Sequence, residues 1–344
     1  MGRHLVVVGA GVTGLLTAVR CARSGARVTV LDVGPVPNPA STSHDEHRAL
    51  RALDPGDVAA TRASAVLHRR WLELESLFGT PFYRRVGVVT GWPAESADAA
   101  LDVAREAGTP VSPVEPEKYP HIRFPAGAVG LLEADAGVLL ADRVLDAAAR
   151  WLREHPLVAL RPGSAVREVD ADRAAVHLAD GSTVRGDVLL VAAGPWSREL
   201  VDVPTVLHRQ RIVYLRPPDE PARWWEGAPS AGRIGDDGLA WLIPPGDGTR
   251  LKISSAALCR EVDEVGDETD RWTDHLALSS VLNDHERYTV TAVRTCHYAV
   301  DPDTGGGSLV RIGPAAWARA ASGGDGFRTA PVVAERVAEE VAGA

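Results

Sequence analysis

The sequence has little of what marks several classes of protein. Three cysteines in 344 residues, an odd number without regular spacing, do not form a disulfide framework and favour a reducing, cytoplasmic location. A net charge of −9 argues against nucleic-acid binding, which requires a basic field. Apolar runs such as residues 188–194 are far shorter than the roughly 20 residues of a membrane-spanning helix, and the first residues do not read as a signal peptide. We therefore expect no nucleic-acid and no membrane partner.

Lysine is also rare. Among the 37 basic residues only Lys118 and Lys252 are lysines, and all the others are arginine. This bias is typical of high-GC coding rather than of a function. A lysine retained against the bias is therefore of interest wherever it falls in a candidate site.

A glycine-rich loop follows the first predicted strand. The apolar strand at residues 5–8 leads into G-A-G-V-T-G and then into an apolar helical pattern. Gly9 allows the tight turn, Gly11 lets the backbone approach a pyrophosphate, and Gly14 lets the helix pack on the strand. The next strand ends at Asp32, whose carboxylate accepts from ribose hydroxyls and disfavours the 2′-phosphate of NADP. The pattern predicts a Rossmann-type site for FAD or NAD.

The segment that follows distinguishes these two cofactors. A plain NAD domain would continue with alternating β and α units, whereas residues 34–51 form a polar segment too long for a simple connection. Such a segment suits a strand that crosses over a large flavin. Its H-D-E-H tract at 44–47 lacks a further ligand at a metal-site spacing, so we expect a solvated loop and no metal there.

The remaining segments predict an α/β fold with two domains. Another buried strand runs into Gly194 and brings the chain back beside the first glycine loop, so the Rossmann-type FAD-binding domain must be discontinuous. The alternating pattern of residues 205–295 predicts a second, mostly antiparallel β-sheet substrate domain. We expect the FAD-binding domain to consist of residues 1–79, 141–204 and 296–344, and the substrate domain to consist of residues 80–140 and 205–295.

Three element predictions are specific enough to be checked. Apolar positions predict one long helix over residues 56–78 and another over 142–154, capped by Asp142. The proline-rich stretch at 110–125 is expected to be irregular.

Five stretches, taken in order, resemble the FAD-dependent amine oxidoreductases of the D-amino-acid oxidase superfamily. The resemblance covers essentially the whole chain and is greatest to the sarcosine oxidase and N-methyltryptophan oxidase group. The first and third stretches are generic to the superfamily, and the others are specific to the group. The stretches are V-G-A-G-V-T-G at 8–14, S-H-D-E-H-R-A-L-R at 43–51, V-A-A-G-P-W-S at 191–197, L-K-I at 251–253, and T-C-H-Y at 295–298 with G-D-G-F-R at 324–328.

The resemblance implies an FAD cofactor bound through a covalent bond. In that group a cysteine at the position of Cys296 is joined through its sulfur to the 8α carbon of the flavin; the alternative is a buried thiol. The cofactor-binding residues that the resemblance implies are Gly9, Gly11, Val12, Thr13, Gly14, Asp32, Ser43, His44, Arg48, Val166, Gly194, Trp196, Cys296, Gly324, Gly326, Phe327 and Arg328.

The same resemblance implies catalytic residues. Lys252 falls on a lysine that promotes the reaction of reduced flavin with oxygen, where the alternative is a lysine on a sheet surface. Arg48 corresponds to an arginine by the flavin. Tyr298 matches a tyrosine that lines the substrate pocket.

The substrate site that the resemblance implies holds a carboxylate. Arg51 falls on the group's carboxylate-binding arginine, and Arg328 replaces its lysine with retention of charge. Asp325 and Ala256 stand where the group has histidines, and Trp241 stands where it tends to have smaller aromatic residues. These departures make sarcosine itself doubtful as the substrate, and we expect Ala256 to enlarge the pocket.

We therefore expect a monomeric, cytoplasmic oxidase of a secondary or cyclic amino acid. Hydride transfer to flavin would give an imine and reoxidation by O2 would give H2O2, in a tailoring step of specialised metabolism. The alternatives are a dehydrogenase of the same fold that uses another electron acceptor, a flavin-binding protein without catalysis, and an NAD-dependent dehydrogenase, which leaves Cys296 unexplained.

Overall fold

The computed structural model describes residues 2–266 and 280–343, so part of the predicted segment 205–295 lies outside the described residues. In chain order the strands are β1 (His4–Val8), β2 (Arg27–Leu31), β3 (Arg48–Leu50), β4 (Tyr83–Arg84), β5 (Val88–Pro93), β6 (Val111–Val114), β7 (Ala128–Glu133), β8 (Gly137–Leu139), β9 (Val158–Arg161), β10 (Val166–Asp170), β11 (Ala175–Leu178), β12 (Thr183–Arg185), β13 (Val188–Val191), β14 (Val206–Arg216), β15 (Ser230–Ile234), β16 (Ala240–Ile243), β17 (Leu251–Ser255), β18 (Cys259–Glu261), β19 (Thr289–Val300), β20 (Val310–Gly313) and β21 (Ala316–Ala318). The α-helices are α1 (Val12–Arg23), α2 (Val58–Ala65), α3 (Leu67–Phe78), α4 (Ala94–Ala107), α5 (Ala141–Glu154), α6 (Asp219–Gly227) and α7 (Gly326–Gly343). Short 3₁₀ helices cover Pro116–Lys118, Gly194–Glu199, Ala256–Leu258, His285–Arg287 and Gly323–Asp325.

A six-stranded sheet in the order β20-β21-β13-β1-β2-β9 forms the first layer. All its neighbouring strands are parallel except the antiparallel pair β20 and β21. Strand β1 is apolar on both faces because both faces are covered: Leu5 and Val7 pack with helices α1, α5 and α7, whereas Val6 and Val8 pack with the small sheet β10-β11-β12. The carboxyl ends of β1, β2, β13 and β21 therefore lie together at one edge.

A nine-stranded sheet forms the second layer, in the order β18-β14-β17-β16-β15-β5-β7-β6 with β19 paired to β14. Its pairs are antiparallel except β5 with β15, which confirms the predicted mostly antiparallel sheet. The small sheet β3-β8-β4 forms a further layer. The mixed α/β fold class is thus confirmed.

The two-domain division remains a proposal. The segments 1–79, 141–204 and 296–344 supply all six strands of the first sheet. The proposed boundary between residues 295 and 296 falls inside β19, a single strand that runs from the large sheet towards the first.

The helix predicted over 142–154 is confirmed as α5, whereas its cap and the other two element predictions need correction. The helix expected over 56–78 is two helices, α2 and α3, which are separated at Val66. Helix α5 starts one residue before Asp142, and Leu140 is its N-cap without a side-chain bond; the Asp142 carboxylate instead accepts from the adjacent Arg143 N–H at 2.7 Å. The stretch 110–125 contains strand β6, because tertiary pairing with β7 overrides its proline content. None of the helices in the described part combines the length and the apolar character of a membrane crossing.

Candidate active site

A cleft of about 920 Å³ lies between the carboxyl edge of the six-stranded sheet and the face of the nine-stranded sheet. It gathers every residue predicted for the site except Gly14, His44 and Ala256. The predicted residues on its wall are Gly9, Gly11, Val12, Thr13, Asp32, Ser43, Arg48, Arg51, Val166, Gly194, Trp196, Trp241, Lys252, Cys296, Tyr298, Gly324, Asp325, Gly326, Phe327 and Arg328. Ala256, expected to enlarge the pocket, is exposed in a 3₁₀ turn outside this wall, because β17 ends at Ser255.

The glycine loop presents the N-terminus of α1 to the cleft. Gly9 has a φ of +100°, and a Cβ on it would lie 2.4 Å from the Ala192 carbonyl oxygen. A Cβ on Gly14 would lie 1.9 Å from the Gly9 carbonyl oxygen, so Gly14 serves helix packing rather than the cleft surface. Gly11, the N-cap of α1, provides no side-chain cap. The Val12 N–H donates to Ser43 Oγ at 3.0 Å, so the N–H groups that follow it in the first turn are the ones available to an anion such as a pyrophosphate.

Asp32 is fixed at the end of β2 by three donors. Its carboxylate accepts hydrogen bonds from the Ala10 N–H at 2.8 Å, the Gly34 N–H at 2.9 Å and the Asn38 side-chain amide at 2.8 Å. A carboxylate has about four acceptor positions, so one remains for a ribose hydroxyl. The N-terminus of α1, the glycine loop and this carboxylate together fit a dinucleotide.

The tract 44–47 is not the solvated loop that we expected. Asp45 and His47 are buried, because the chain here passes under the nine-stranded sheet to form β3. His47 contacts the Arg250 carbonyl oxygen through Nε2 at 2.9 Å, and burial lowers its pKa to about 3, so its ring is neutral. His44 is not on the cleft wall and bonds through its N–H to Ser41 O at 3.1 Å. Among the described residues no three His, Cys, Asp or Glu side chains are grouped to hold a metal.

Lys252 is almost fully buried on β17, with 2% of its side chain exposed. Its ammonium donates to Asp45 Oδ2 at 2.5 Å and to His47 O at 3.1 Å, and lies 5.7 Å from the Trp241 ring centroid. Burial, together with the charge of Arg48, lowers the pKa of Lys252 to about 8. The lysine therefore faces the cleft as a cation near neutral pH.

Arg48 lies beside the same carboxylate. Its guanidinium donates to Asp45 Oδ2 and, at 2.8 Å, to the Thr42 carbonyl oxygen. It also lies 5.7 Å from the centroid of the Phe327 ring. Two cations on the cleft wall, Arg48 and Lys252, thus share one buried anion, Asp45.

Cys296 and Tyr298 face the cleft from β19. Cys296 pairs with Gln210 of β14; burial raises the pKa of its thiol, and the charges of Arg48 and Lys252 oppose that rise. Tyr298, two residues on, shares the face of Cys296. Its hydroxyl lies 3.3 Å from Cys259 Sγ, and burial raises its pKa, so the hydroxyl stays protonated.

Arg51 and Arg328 form a further cationic part of the wall. Burial, and then the charge of Arg328, lower the pKa of Arg51. Arg328 donates to Asp325 Oδ2 at 2.8 Å, whereas Asp325 Oδ1 is buried without a hydrogen-bond partner among the described residues. Two guanidinium groups that line one cleft and repel each other favour the binding of an anion there.

Sequence reasoning missed three polar residues at this site. Arg319, 5% exposed, follows β21 at the sheet edge and donates to Thr329 Oγ1 at 3.1 Å. Tyr214 on β14 donates to Asp45. Asp45 itself lay within a motif that we used for the resemblance but assigned to solvent. A charged residue directly after the apolar A-W-A strand was the available signal for Arg319; Tyr214 gave none, because its role depends on a residue far away in the chain.

Comparison with known proteins agrees with this geometry. The chain matches the DAO family, FAD dependent oxidoreductase, over residues 4–340. It is 27% identical over 222 residues to peroxisomal sarcosine oxidase of Homo sapiens, covering 61% of this chain and 56% of the human protein. It is 29% identical over 214 residues to N-methyl-L-tryptophan oxidase of Salmonella heidelberg (strain SL476), covering 58% of this chain and 56% of that protein. The chain thus spans little more than half the length of these curated relatives.

A solved structure extends the comparison to the whole fold. A modified fructosyl peptide oxidase from Aspergillus nidulans superposes with a TM-score of 0.82 at 18% identity, covering 99% of this chain and 90% of that chain. At this identity the match shows a shared fold. The family match over nearly the whole chain confirms the resemblance first found in the motifs, and the protein belongs to the family of FAD dependent oxidoreductases.

Proposed function

We propose that the protein is an FAD-dependent oxidase of a secondary or cyclic amino acid. The observation that carries this proposal is one cleft that combines the guanidinium groups of Arg51 and Arg328 with the buried ammonium of Lys252. Bound FAD would supply two functions. One is uptake of a hydride from the carbon next to the amine nitrogen, and the other is transfer of two electrons to O2, which gives H2O2. The amine becomes an imine, which water hydrolyses unless it is cyclic.

The two guanidinium groups would bind the substrate carboxylate. Asp325 offsets part of the charge of Arg328, so the pair carries a net positive charge that one carboxylate can balance. Fixing the carboxylate fixes the carbon that loses hydride, and such positioning is a large part of the catalytic effect. The protonated Tyr298 hydroxyl and the Trp241 ring, both on the cleft wall, would limit the shape of the amine substituent.

Lys252 favours an oxidase over a dehydrogenase. A fixed ammonium in a site from which water is excluded stabilises the negative charge that develops when oxygen accepts electrons. Arg48, in the same cluster, would help to hold this positive field beside the cofactor. Cys296 lies close enough to both cations that their charges affect its thiol, and we propose that its sulfur carries the flavin.

The proposal is tested by incubating the purified protein with N-methyl and cyclic amino acids and measuring peroxide. Each amino acid is paired with its carboxamide, which keeps the amine and removes the carboxylate. We expect peroxide with at least one carboxylate and much less with its amide. Equal rates for acid and amide would contradict the role of Arg51 and Arg328.

Anaerobic spectra distinguish the competing functions. Bleaching by an amine without later peroxide would identify a dehydrogenase that uses another acceptor. No bleaching with any amine would identify a flavin-binding protein without this catalysis. We further propose that the protein acts as a cytoplasmic monomer in a tailoring step of specialised metabolism.

A further inference from the structure

Asp45 lies at the centre of the charged cluster but has no role in the function proposed above. We propose that Asp45 is a positioning residue, which keeps Lys252 in its ammonium form and fixes it, together with Arg48, on the cleft wall beside Cys296. The inference deepens the proposed function and rests on it for the role of the lysine towards oxygen.

The Asp45 carboxylate is saturated with donors. Oδ2 accepts from Lys252 Nζ at 2.5 Å and from the Arg48 guanidinium. Oδ1 accepts from the Glu46 N–H at 2.7 Å and from the Tyr214 hydroxyl. Four donors fill the acceptor positions of a carboxylate, and 2% of the side chain is exposed. Although burial opposes ionisation, the two cations and these bonds hold the pKa of Asp45 well below its usual range.

Removal of this anion would leave two adjacent cations without a counter-charge, Lys252 with 2% and Arg48 with 19% of the side chain exposed. Arginine does not give up its proton in proteins, so the repulsion between the two unpaired charges would be relieved by loss of a proton from Lys252. Burial and Arg48 already lower the pKa of the lysine, and Asp45 is the first of the groups that raise it. The groups that face Lys252 from the surrounding elements are Asp45, His47 and Arg48 before and within β3, Tyr214 of β14, Trp241 of β16 and Cys296 of β19.

The scarcity of lysine makes the charge of Lys252 directly observable. Holoenzyme labelled with ¹³C at lysine Cε gives two side-chain signals, because the chain has only Lys118 and Lys252. The variant Lys252→Met identifies the signal of interest, and the exposed Lys118 is an internal reference. The pH dependence of the Cε shift reports the protonation of Lys252 without any turnover.

We expect Asp45→Asn to lower the titration midpoint of Lys252 by about one pH unit or more, as loss of a contacting opposite charge predicts. The matched control is Glu46→Gln, which removes the neighbouring carboxylate that pairs with Arg250 rather than with Lys252. That control should leave the Lys252 midpoint within a few tenths of a unit. An unchanged or raised midpoint in Asp45→Asn overturns the proposal.

Two further measurements keep the test decisive if Asp45→Asn does not fold. In the wild type, Lys252 must be an ammonium at pH 7; a neutral amine there overturns the proposal. Tyr214→Phe removes one donor to Asp45 but keeps its charge, so the Lys252 midpoint should stay or rise; a fall contradicts the assigned network.

The titration separates this inference from the proposed function. A protein that oxidises no amine can still show the shift in Asp45→Asn, and the proposed function alone then fails. A protein that forms peroxide but shows no shift keeps its function and loses the role of Asp45. If the protein forms peroxide and Asp45→Asn also shows the shift, the oxygen reaction of this variant should slow at a lower pH than that of the wild type. The difference in pH should equal the shift of the NMR midpoint.

Discussion

At the scale of single residues, the site depends on a few buried charges that lie far apart in the chain. Lys252 and Asp45 are separated by 207 positions, yet their side chains are 2.5 Å apart. Buried charges of this kind are tolerated when they are paired and hydrogen-bonded. The charges on the cleft wall are therefore informative about function, and their removal gives sharp predictions.

Lys252→Met should uncouple the two halves of the reaction. Loss of a preorganised cation should slow the reaction with oxygen by roughly 100-fold or more, while reduction by the amine changes only several-fold. Stopped-flow measurement of each half-reaction checks this, with exposed Lys118→Met as the matched control. Equal slowing of both half-reactions would contradict the role of Lys252.

Arg51→Gln should weaken recognition of the carboxylate. A hydrogen bond to a charged group contributes about 1.5–3 kcal/mol, so kcat/KM for the amino acid should fall roughly 10- to 150-fold. The rate with the carboxamide should change little. The exposed Arg85, paired with Asp135 away from the cleft, supplies the control Arg85→Gln. A similar loss with acid and amide would show a structural rather than a recognition role.

The charge on Lys252 also sets a pH dependence. Its pKa of about 8 is lowered from the ordinary value, so the ammonium is present below this pH and is lost above it. The rate constant for reaction with oxygen should therefore fall as the pH rises through about 8. Lys252→Met should show no such fall, and a wild-type profile that stays level to pH 10 or more would contradict the assignment.

At the scale of elements, close contact between α1 and β1 forms the cofactor end of the cleft. This part of the site could be predicted from the sequence, because Gly9, Gly11 and Gly14 act through local backbone geometry. The position of Asp45 could not, since its burial depends on β3 passing under β17. The break at Val66 was likewise invisible, because the apolar pattern continues through it.

Gly14→Ala should destabilise this junction. The added Cβ would lie 1.9 Å from a backbone oxygen, which cannot move without shifting the glycine loop. Overpacking of this kind costs about 1–3 kcal/mol. Urea unfolding should show that loss. Gly56→Ala, where the new Cβ meets no atom within 4 Å, is the control and should show no such loss.

At the scale of the whole molecule, the burial of His47 in its neutral form limits stability in acid. In the folded state the pKa of His47 is about 3, below the ordinary 6.5. The contribution of the buried neutral ring to the free energy of unfolding is therefore present above pH 6.5 and is lost as the pH falls towards 3. Between pH 7.5 and 5.5 the free energy of unfolding should fall by about 1.4 kcal/mol because of this group. His47→Gln should lose that component in urea unfolding at the two pH values. If the variant keeps the same pH dependence of unfolding, a group other than His47 causes it.

We propose a cleft in which FAD is tethered at Cys296 and whose wall carries Lys252, Arg48 and the guanidinium pair of Arg51 and Arg328. Intact-mass analysis of the denatured holoprotein tests this most directly, with Cys296→Ala as the comparison. We predict the polypeptide mass plus one FAD, with the adduct on the peptide that contains Cys296, and the bare polypeptide mass for the variant. The bare mass in the wild type, or an adduct on another residue, would contradict the account.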